Sequence, residues 1–532
     1  MMPFADVQVI PNAGAGQSET VRFLSDPDSY RPRPAEVERI DTHAAIVFLA
    51  GSDAYKIKRA VTYNYLDFSS LEKRRGAIEH ELEVNKVIAP EVYLEVVQIV
   101  QAEDGKLSIG GSGKAVEWAL HMRRFATESI LSNLFATREP SDQAVRDLAE
   151  SVAKLHAGAR RIVTPDGAAR IGAIVEELHE ALTEFEASLP HDAVATYVDR
   201  AHAELDRVRL CLKVRGRCGC IRQCHGDLHL GNIVEIGGKP VLFDAIEFDD
   251  ELATIDVLYD LAFLIMDLDM RGYRHAANLL LNRYLRLTGG RLNLYGLAAL
   301  PLFLSVRAGI RAMVALQRGA HQDRSAEEEA WRYLDRALGY LRPRAPLLIA
   351  IGGCSGTGKS TLARGLAPFV GESPGAVHLS SDVERKDLAG AAELERLGAA
   401  RYAPEVTAAV YERLRSKAER ILRGGASVIV DATFLQPSDR AAIEATAQRL
   451  GIACVGLWLT ATQSVARARV EARQADVSDA TPDIVEHQFA TANPSSDWIL
   501  IDSRGTQEQT LSVARVHVAN QERSRAWAGT AA

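Results

Sequence analysis

Gly353-Cys354-Ser355-Gly356-Thr357-Gly358-Lys359-Ser360 stands directly after the apolar run LLIAIG (347–352) and directly before TLARGLA. The stretch fits G-x-x-x-x-G-K-[ST], the pattern of a phosphate-binding loop set between a strand and a helix. Glycines let successive backbone amides turn inward onto phosphate oxygens. The N-terminus of the following helix adds the positive end of its dipole. In that frame Lys359 reaches the β- and γ-phosphates, and the Ser360 hydroxyl meets Mg2+. Gly353, Ser355, Gly356, Thr357, Gly358, Lys359, Ser360 and Thr361 form the expected ATP-binding set.

Working outward, apolar runs alternate with helical segments: LLIAIGG, AVHLSS, ASVIVDA, ACVGLWL and WILID. This rhythm predicts an α/β unit with a parallel sheet and helices on both faces. VIVDAT (428–433) ends its strand in Asp431, where an acid holds Mg2+ through water, unless it only caps the next helix. HLSSD (378–382) ends in Asp382, placed to accept a proton from a substrate hydroxyl, with N-capping as the alternative. Arg385 and Lys386 follow and would hold the acceptor. Arg469 and Arg473, at i and i+4, share a helix face before the loop QADVSDAT. They would close over the transferring phosphoryl group, or form a solvated face.

GGCSGTGKSTLA, SSDVERK, VDATF and the Arg-rich segment ending in SDA resemble the small P-loop kinases of the AAA-type ATP-binding group, over about residues 346–503. Gluconate-kinase-like and polynucleotide-kinase-like enzymes belong to that circle. The resemblance implies phosphoryl transfer to a small hydroxyl acceptor and does not imply a ring-forming motor.

A second dense motif is His225-Gly226-Asp227-Leu228-His229-Leu230-Gly231-Asn232. Asp227 and Asn232 have the D-x-x-x-x-N spacing of a kinase catalytic loop, in which the Asp orients the substrate hydroxyl and the Asn binds Mg2+. The strand PVLFDAIEF (240–248) follows and carries Asp244, where the metal-binding Asp of a kinase comes. Upstream, Lys56 lies on AYKIK (54–58), where a strand lysine pairs with phosphates and is steadied by an acid from the next helix. Glu81 is the expected acid, with Glu79 and Glu83 as alternates.

HGDLHLGN with FDAIEF resembles the aminoglycoside phosphotransferase-like kinases, over roughly 36–340. The resemblance implies an α+β two-lobed, protein-kinase-like domain using ATP and Mg2+. The chain departs from the kinase pattern in lacking a G-x-G-x-x-G ahead of Lys56. Only Asp41-Thr42-His43 and Gly51-Ser52-Asp53 offer amides there. The tripeptide at Asp244 is Asp-Ala-Ile rather than Asp-Phe-Gly.

The expected organisation is a poorly ordered leader (1–35), a kinase-like domain (36–340, N-lobe about 36–125, helical C-lobe about 126–340), a linker (341–346), a P-loop domain (347–504) and a frayed tail (505–532). Ser69 and Glu72 read as a capping box for a helix to about Ile88, stopped by Pro90. The 532 residues carry a net charge of −8, which disfavours a protein that coats nucleic acid. No apolar run approaches the roughly 18 residues of a membrane span. Six cysteines are not a disulfide framework and fit a reducing cytoplasm. Cys211, Cys218, Cys220 and Cys224 lack the paired hooks of structural zinc sites and read as reduced thiols. His156 reads as a packing residue. Asp256, Asp260, Asp267 and Asp269 read as a solvated or capping set, or as acids that orient the catalytic loop.

The whole reads as a tandem, bifunctional ATP-dependent phosphotransferase acting on small sugar- or polyol-like hydroxyl acceptors. The alternatives are a regulatory protein with one silent ATP-binding domain, and a nucleic-acid 5′-end kinase in the C-terminal domain. Substrate choice falls to the helical segments 140–215 and 255–340, where no motif is legible.

Overall fold

The alternation in AIVFLA and DAYKIK makes two strands joined by the Gly51-Ser52 turn, and their register sets the first lobe. The computed structural model describes residues 17–42, 44–63, 66–247, 249–318, 323–342, 345–472, 477–493 and 497–529. They fall into two units, Met1–Asp267 with Leu302–Leu338, and Leu268–Pro301 with Gly339–Ala532. The segment 268–301, expected within the kinase-like domain, clusters with the second unit.

In the first unit, α1 (Ser18–Leu24) precedes β1 (Val37–Asp41), β2 (Ala45–Ala50) and β3 (Asp53–Lys58). Helix α2 (Leu71–Ile88), β4 (Tyr93–Gln101), β5 (Leu107–Ile109) and β6 (Lys114–Arg123) follow. The strands form an antiparallel sheet in the order β1-β2-β3-β6-β4-β5. Side chains alternate across a strand, so Tyr55 and Ile57 join one apolar cluster with Phe48, Leu24 and Tyr30. Lys56 and Lys58 therefore face the other way, toward α2.

Residues 17–35, expected to be disordered, are folded. Leu24 and Tyr30 are buried on the sheet, and Gln17 donates to Lys58 O at 2.8 Å and Glu117 Oε2 at 2.6 Å. Residues 1–16 lie outside the described residues. The cap of α2 also differs from expectation. Ser70, not Ser69, accepts from Lys73 N, because the Ser69 hydroxyl is engaged by Asp67 at 2.6 Å.

Beyond the sheet, the hairpin β7 (Ile233–Ile236) and β8 (Lys239–Leu242) packs Val234 and Val241 against Ile78 of α2 and Tyr93 of β4. The rest of the unit is mainly helical, with Asp142–Gly158, Gly167–Thr183, Ala193–Arg217 and most of α3 (Val257–Met270), beside a small antiparallel sheet of Arg161–Ile162, Ile221–Gln223 and Thr254–Asp256. Together these make the expected α+β kinase-like fold.

In the second unit, α4 (Arg274–Thr288) comes first. Five strands follow: β9 (Leu347–Gly352), β10 (Val377–Ser380), β11 (Val428–Asp431), β12 (Ala453–Thr460) and β13 (Ile499–Asp502). All pairs are parallel, in the order β10-β11-β9-β12-β13. Between them run α5 (Lys359–Leu366), α6 (Ser381–Ala389), α7 (Gln463–Glu471) and α8 (Pro482–Thr491), among others. This is the expected α/β architecture. The expected frayed tail is helix α9 (Gln507–Gly529), whose Ala514 and Val518 enter the core with Ile349, Leu362 and Leu366.

One helical stretch among the described residues, Arg291–Arg318, is long and apolar enough to cross a membrane by length and composition, contrary to the sequence count. It is 72% buried over its apolar window, as a core helix would be. All six cysteines are free, and Cys211, Cys220 and Cys224 are buried.

A buried ion pair ties Ala193–Arg217 to the strand Thr254–Asp256. Arg215 Nε and Nη2 donate to Asp256 Oδ2 and Oδ1 at 2.7 and 2.6 Å, with the arginine wholly buried. Asp256→Ala removes the carboxylate that faces this buried cation. It is expected to cost about 3–5 kcal/mol, read as a fall in the urea midpoint of the first unit's unfolding.

Candidate active sites

Two charged clusters stand at the ends of strands, one in each unit. In the first, Lys56 Nζ donates to Glu81 Oε1 at 2.7 Å and to Asp244 Oδ1 at 3.0 Å. Glu81 is wholly buried while the Asp244 side chain is 44% exposed, so the cluster opens toward solvent at Asp244. Lys58, not singled out from the sequence, lies 2.7 Å from Glu81 Oε2 and 2.7 Å from Glu247 Oε1. Burial works against the charge on Lys56, but Asp244, Glu81 and Glu247 outweigh it and raise its pKa. Burial likewise pushes Glu81 up, and the two lysines more than reverse that. Glu247 is raised, by burial and then by the charge on Glu81.

Helix α2 supplies a second contact one turn on. Asn85 accepts from Ala245 N at 2.8 Å and donates to Ala245 O at 3.3 Å. With Tyr93 Oη accepting from Asp244 N at 3.0 Å, this holds Asp244 in a left-handed conformation, φ 60°. Glu81 and Asn85, at i and i+4, thus fix Lys56 and Asp244 from one helix face. Glu79 instead pairs with Arg75, and Glu83 lies by His80.

The HGDLHLGN loop is held by α3. Asp260 accepts from His225 N at 3.2 Å and Gly226 N at 3.0 Å, and Asp267 accepts from Leu230 N at 3.0 Å. His156, expected to pack, is buried and bonded to Asp260 at 3.0 Å. These two acids therefore orient the loop, one of the roles left open by the sequence. Asn232 Nδ2 donates to Asp227 O at 3.0 Å and Oδ2 at 2.9 Å. Both bonds use the amide nitrogen, so Asn232 Oδ1 is the atom of this side chain that could coordinate a cation. Burial raises Asp227, but the hydrogen bond from His229, with His225 and Arg307 nearby, holds it below the usual carboxylate range.

In the second unit the register places Ile351 opposite Asp431, and Asp431 opposite Ser380. The P-loop, Asp431 and Asp382 thus meet outside the carboxyl ends of adjacent strands, where ligands bind open α/β sheets. Gly353 and Gly356 have φ of 132° and 83°. A Cβ on Gly356 would stand 2.3 Å from Ala466 O of α7, so only glycine fits. Thr357 Oγ1 and Lys359 Nζ both donate to Cys354 O, at 2.8 and 3.0 Å, closing the loop on itself. Ser355 N donates to Gln488 Oε1 of α8 at 2.7 Å, so a cradle amide already finds an acceptor.

Asp431 is 2% exposed, bonded by Ser360 and by His378 Nε2 at 2.8 Å. Burial pushes it up; His378, Ser360 and Lys359 bring it below its ordinary value. Asp382 is raised, first by burial and then by repulsion from Asp431, against Ser478, Lys359 and Arg385. Lys386 is buried on Glu395 O at 2.7 Å and Asp479 at 3.4 Å, and Arg385 is bonded to Arg401 O at 2.8 Å. Both are engaged within the unit rather than turned to an acceptor. Arg469 donates to Ser503 O at 2.7 Å. Arg473 lies outside the described residues.

Both donor sets are hard oxygens, Asp244 with Asn232 and Asp431 with Ser360, and fit Mg2+ rather than a thiolate metal.

Residues 65–297 match the phosphotransferase enzyme family, and residues 348–495 match an AAA domain. Over 485 residues the chain is 30% identical to the uncharacterized protein Rv2004c of Mycobacterium tuberculosis, spanning 89% of this chain and 94% of that protein. The chain belongs to that two-domain phosphotransferase family. It resembles the aminoglycoside phosphotransferase-like kinases in its first part and P-loop kinases in its second, and it is a kinase, an ATP-dependent phosphotransferase. Solved structures with a likeness include a gluconokinase from Sinorhizobium meliloti (21% identity, 35% of this chain and 98% of that one, TM-score 0.25). Another is a choline/ethanolamine kinase family protein from Mesorhizobium loti (15% identity, 61% and 99%, TM-score 0.36).

Lys58, Asn85, Glu247, His378 and Gln488 were not legible as site residues. Lys58 alone had a signal, its period-2 relation to Lys56. Asp260→Ala in this phosphotransferase removes the acceptor for two buried amides. It is expected to destabilise the first unit by about 1–3 kcal/mol per orphaned group and to lower Asp227-dependent transfer. Asp260 is held low by His156, His225 and Arg307 against burial. Its wild-type contribution is therefore present above about pH 4 and fades as the pH falls through the lowered folded value. The pH dependence of unfolding, compared between wild type and variant, checks both.

Proposed function

We propose that both units transfer the γ-phosphate of ATP to a hydroxyl group of a small, sugar- or polyol-like molecule, with Mg2+. The observation that supports this best is the repetition of one chemical set. Each unit carries a lysine, a carboxylate suited to a cation and a second carboxylate suited to a substrate proton. In the first unit these are Lys56, Asp244 and Asp227, with Glu81 and Asn232 in support. In the second they are Lys359, Asp431 and Asp382, with Ser360 and the amides of 353–361.

When bound, Mg2+ would neutralise phosphate charge; Asp244 and Asn232 would hold it in one unit, Asp431 and Ser360 in the other. The acceptor oxygen forms a bond to the γ-phosphorus, the bond to the β–γ bridging oxygen breaks, and ADP leaves. The hydroxyl proton passes to Asp227 or Asp382. Lys56 and Lys359 draw charge from the phosphates. Arg469, on the helix beside the P-loop, and Arg473 after it in sequence would close over the phosphoryl group once ATP binds, which requires Arg469 to leave Ser503 O. A cytoplasmic setting fits the free thiols and the need for ATP, and a net charge of −8 weighs against nucleic acid as acceptor.

A second reading has the first unit bind ATP without transfer. It is favoured by the sequence ahead of Lys56, which lacks a G-x-G-x-x-G, and by the Thr42 N to Ala45 O bond at 2.9 Å, which ties up the Thr42 amide. ADP release is to be screened over sugars, polyols, nucleosides and aminoglycosides with wild type, Asp227→Ala and Lys359→Ala. Transfer at both sites predicts two activities, each lost in one variant by about a hundredfold or more. A single activity, insensitive to Asp227→Ala, establishes the silent-domain reading.

The two acid limbs should also differ. Asp382 is raised and Asp227 lowered. On acidification, Lys359-dependent transfer should therefore lose its base at higher pH than Asp227-dependent transfer, as pH–rate profiles of the two single-site variants would read.

A further inference from the structure

A buried carboxylate can turn about its last torsion, which is broad and roughly two-fold. Which oxygen of Asp431 faces the nucleotide is undecided unless a neighbour ties the other. His378 is that neighbour. Its Nε2 stands 2.8 Å from Asp431 Oδ2, and it lies on β10, the strand beside β11. An ionised carboxylate only accepts, so the imidazole carries its proton on Nε2 and donates.

Strand β10 is at the edge of the sheet, where its outward N–H and C=O groups have no strand partner. Helix α4 supplies the partners from side chains. Asn282 Oδ1 accepts from His378 N at 2.8 Å, and its Nδ2 donates to Ala376 O at 3.3 Å. Asn278, one turn earlier on the same face, donates to Ala376 O at 3.0 Å and Pro374 O at 2.8 Å. Two asparagines thus stand in for a missing strand and fix the backbone from which His378 reaches Asp431. Both lie outside the AAA-domain match at 348–495 and inside the phosphotransferase match at 65–297.

We propose that His378, seated by Asn282, is a positioning residue for Asp431, leaving one carboxylate oxygen to face the nucleotide and its cation. This rests on the reading of the second unit as a Mg2+-dependent ATP site. His378 touches no substrate itself; it acts through the carboxylate.

The test uses the full chain and ATP itself. Binding is followed by titration calorimetry with Mg2+ and in EDTA, and the P-loop contribution is the part lost in Lys359→Ala. In His378→Leu the Mg2+ concentration that half-saturates this part should rise about tenfold or more, the usual effect of removing a partner of a metal-holding group. Its affinity for ATP in EDTA should stay at the wild-type value, while the thermal unfolding midpoint falls because a buried carboxylate loses a donor. His378→Gln, whose Nε2 can take the imidazole position, should restore the Mg2+ dependence. Asn282→Leu should shift it in the same direction as His378→Leu. An unchanged Mg2+ dependence in His378→Leu overturns the proposal. So do equal losses of affinity with and without Mg2+, which would make His378 merely structural. Absence of any Lys359-dependent binding in the wild type overturns the P-loop reading itself, and the proposal with it.

Discussion

Taking a carboxylate out of water costs several kcal/mol unless its oxygens are met by donors, and both units are arranged around carboxylates that satisfy this condition. Asp260 is wholly buried and takes two backbone N–H groups of the HGDLHLGN loop together with His156. Asp431 is almost as deep and takes His378 and the Ser360 hydroxyl. In each case the donors that keep the acid ionised belong to the loop or strand that must be held still. Solvation of a buried charge and placement of the site are therefore one requirement.

The cations answer to the same condition from the other side. Lys56 is tolerated near α2 because Glu81 lies behind it and Asp244 in front. Glu81 is tolerated because Lys58 shares it. Neither lysine can be neutralised without stranding an acid. The arrangement thus opposes proton loss from Lys56, a group that would meet phosphate charge. The P-loop solves the same problem with less charge: Lys359 leans on Cys354 O, and backbone amides carry much of the attraction for phosphate.

What was legible in the sequence follows from range. The five P-loop strands and the pair β2–β3 were readable because their signals are local: apolar runs, a glycine turn, alternation. The capping position missed by one residue because Asp67 takes up the Ser69 hydroxyl, a competition that spacing does not reveal. Residues 17–35 looked disordered because a few apolar side chains among polar ones bury nothing by themselves; Leu24 and Tyr30 gain burial only from a sheet formed later in the chain. Asp227, Asn232 and Asp244 stood out through motif spacing, and the structure brings Asp227 to Asn232 and Asp244 to Lys56. Asn85, Glu247 and His378 carry no spacing signal, because each meets its partner across 50 or more residues of chain.

The division of the chain makes the same point at larger scale. A family match follows sequence order, and residues 65–297 read continuously as phosphotransferase. Burial follows contact, and 268–301 are buried with the P-loop sheet. An open parallel sheet exposes the backbone of its edge strand, and an uncovered edge is a liability in solution. Strand β10 is that edge and carries His378. Covering it needs donors and acceptors at strand spacing, which Asn278 and Asn282 supply, and ion pairs from Arg283 and Arg286 to Glu393 hold the same helix down. The P-loop strand order can therefore be closed by a helix whose sequence belongs to the preceding enzyme family. A boundary drawn at residue 341 would leave the edge, and the histidine on it, without the groups that fix them.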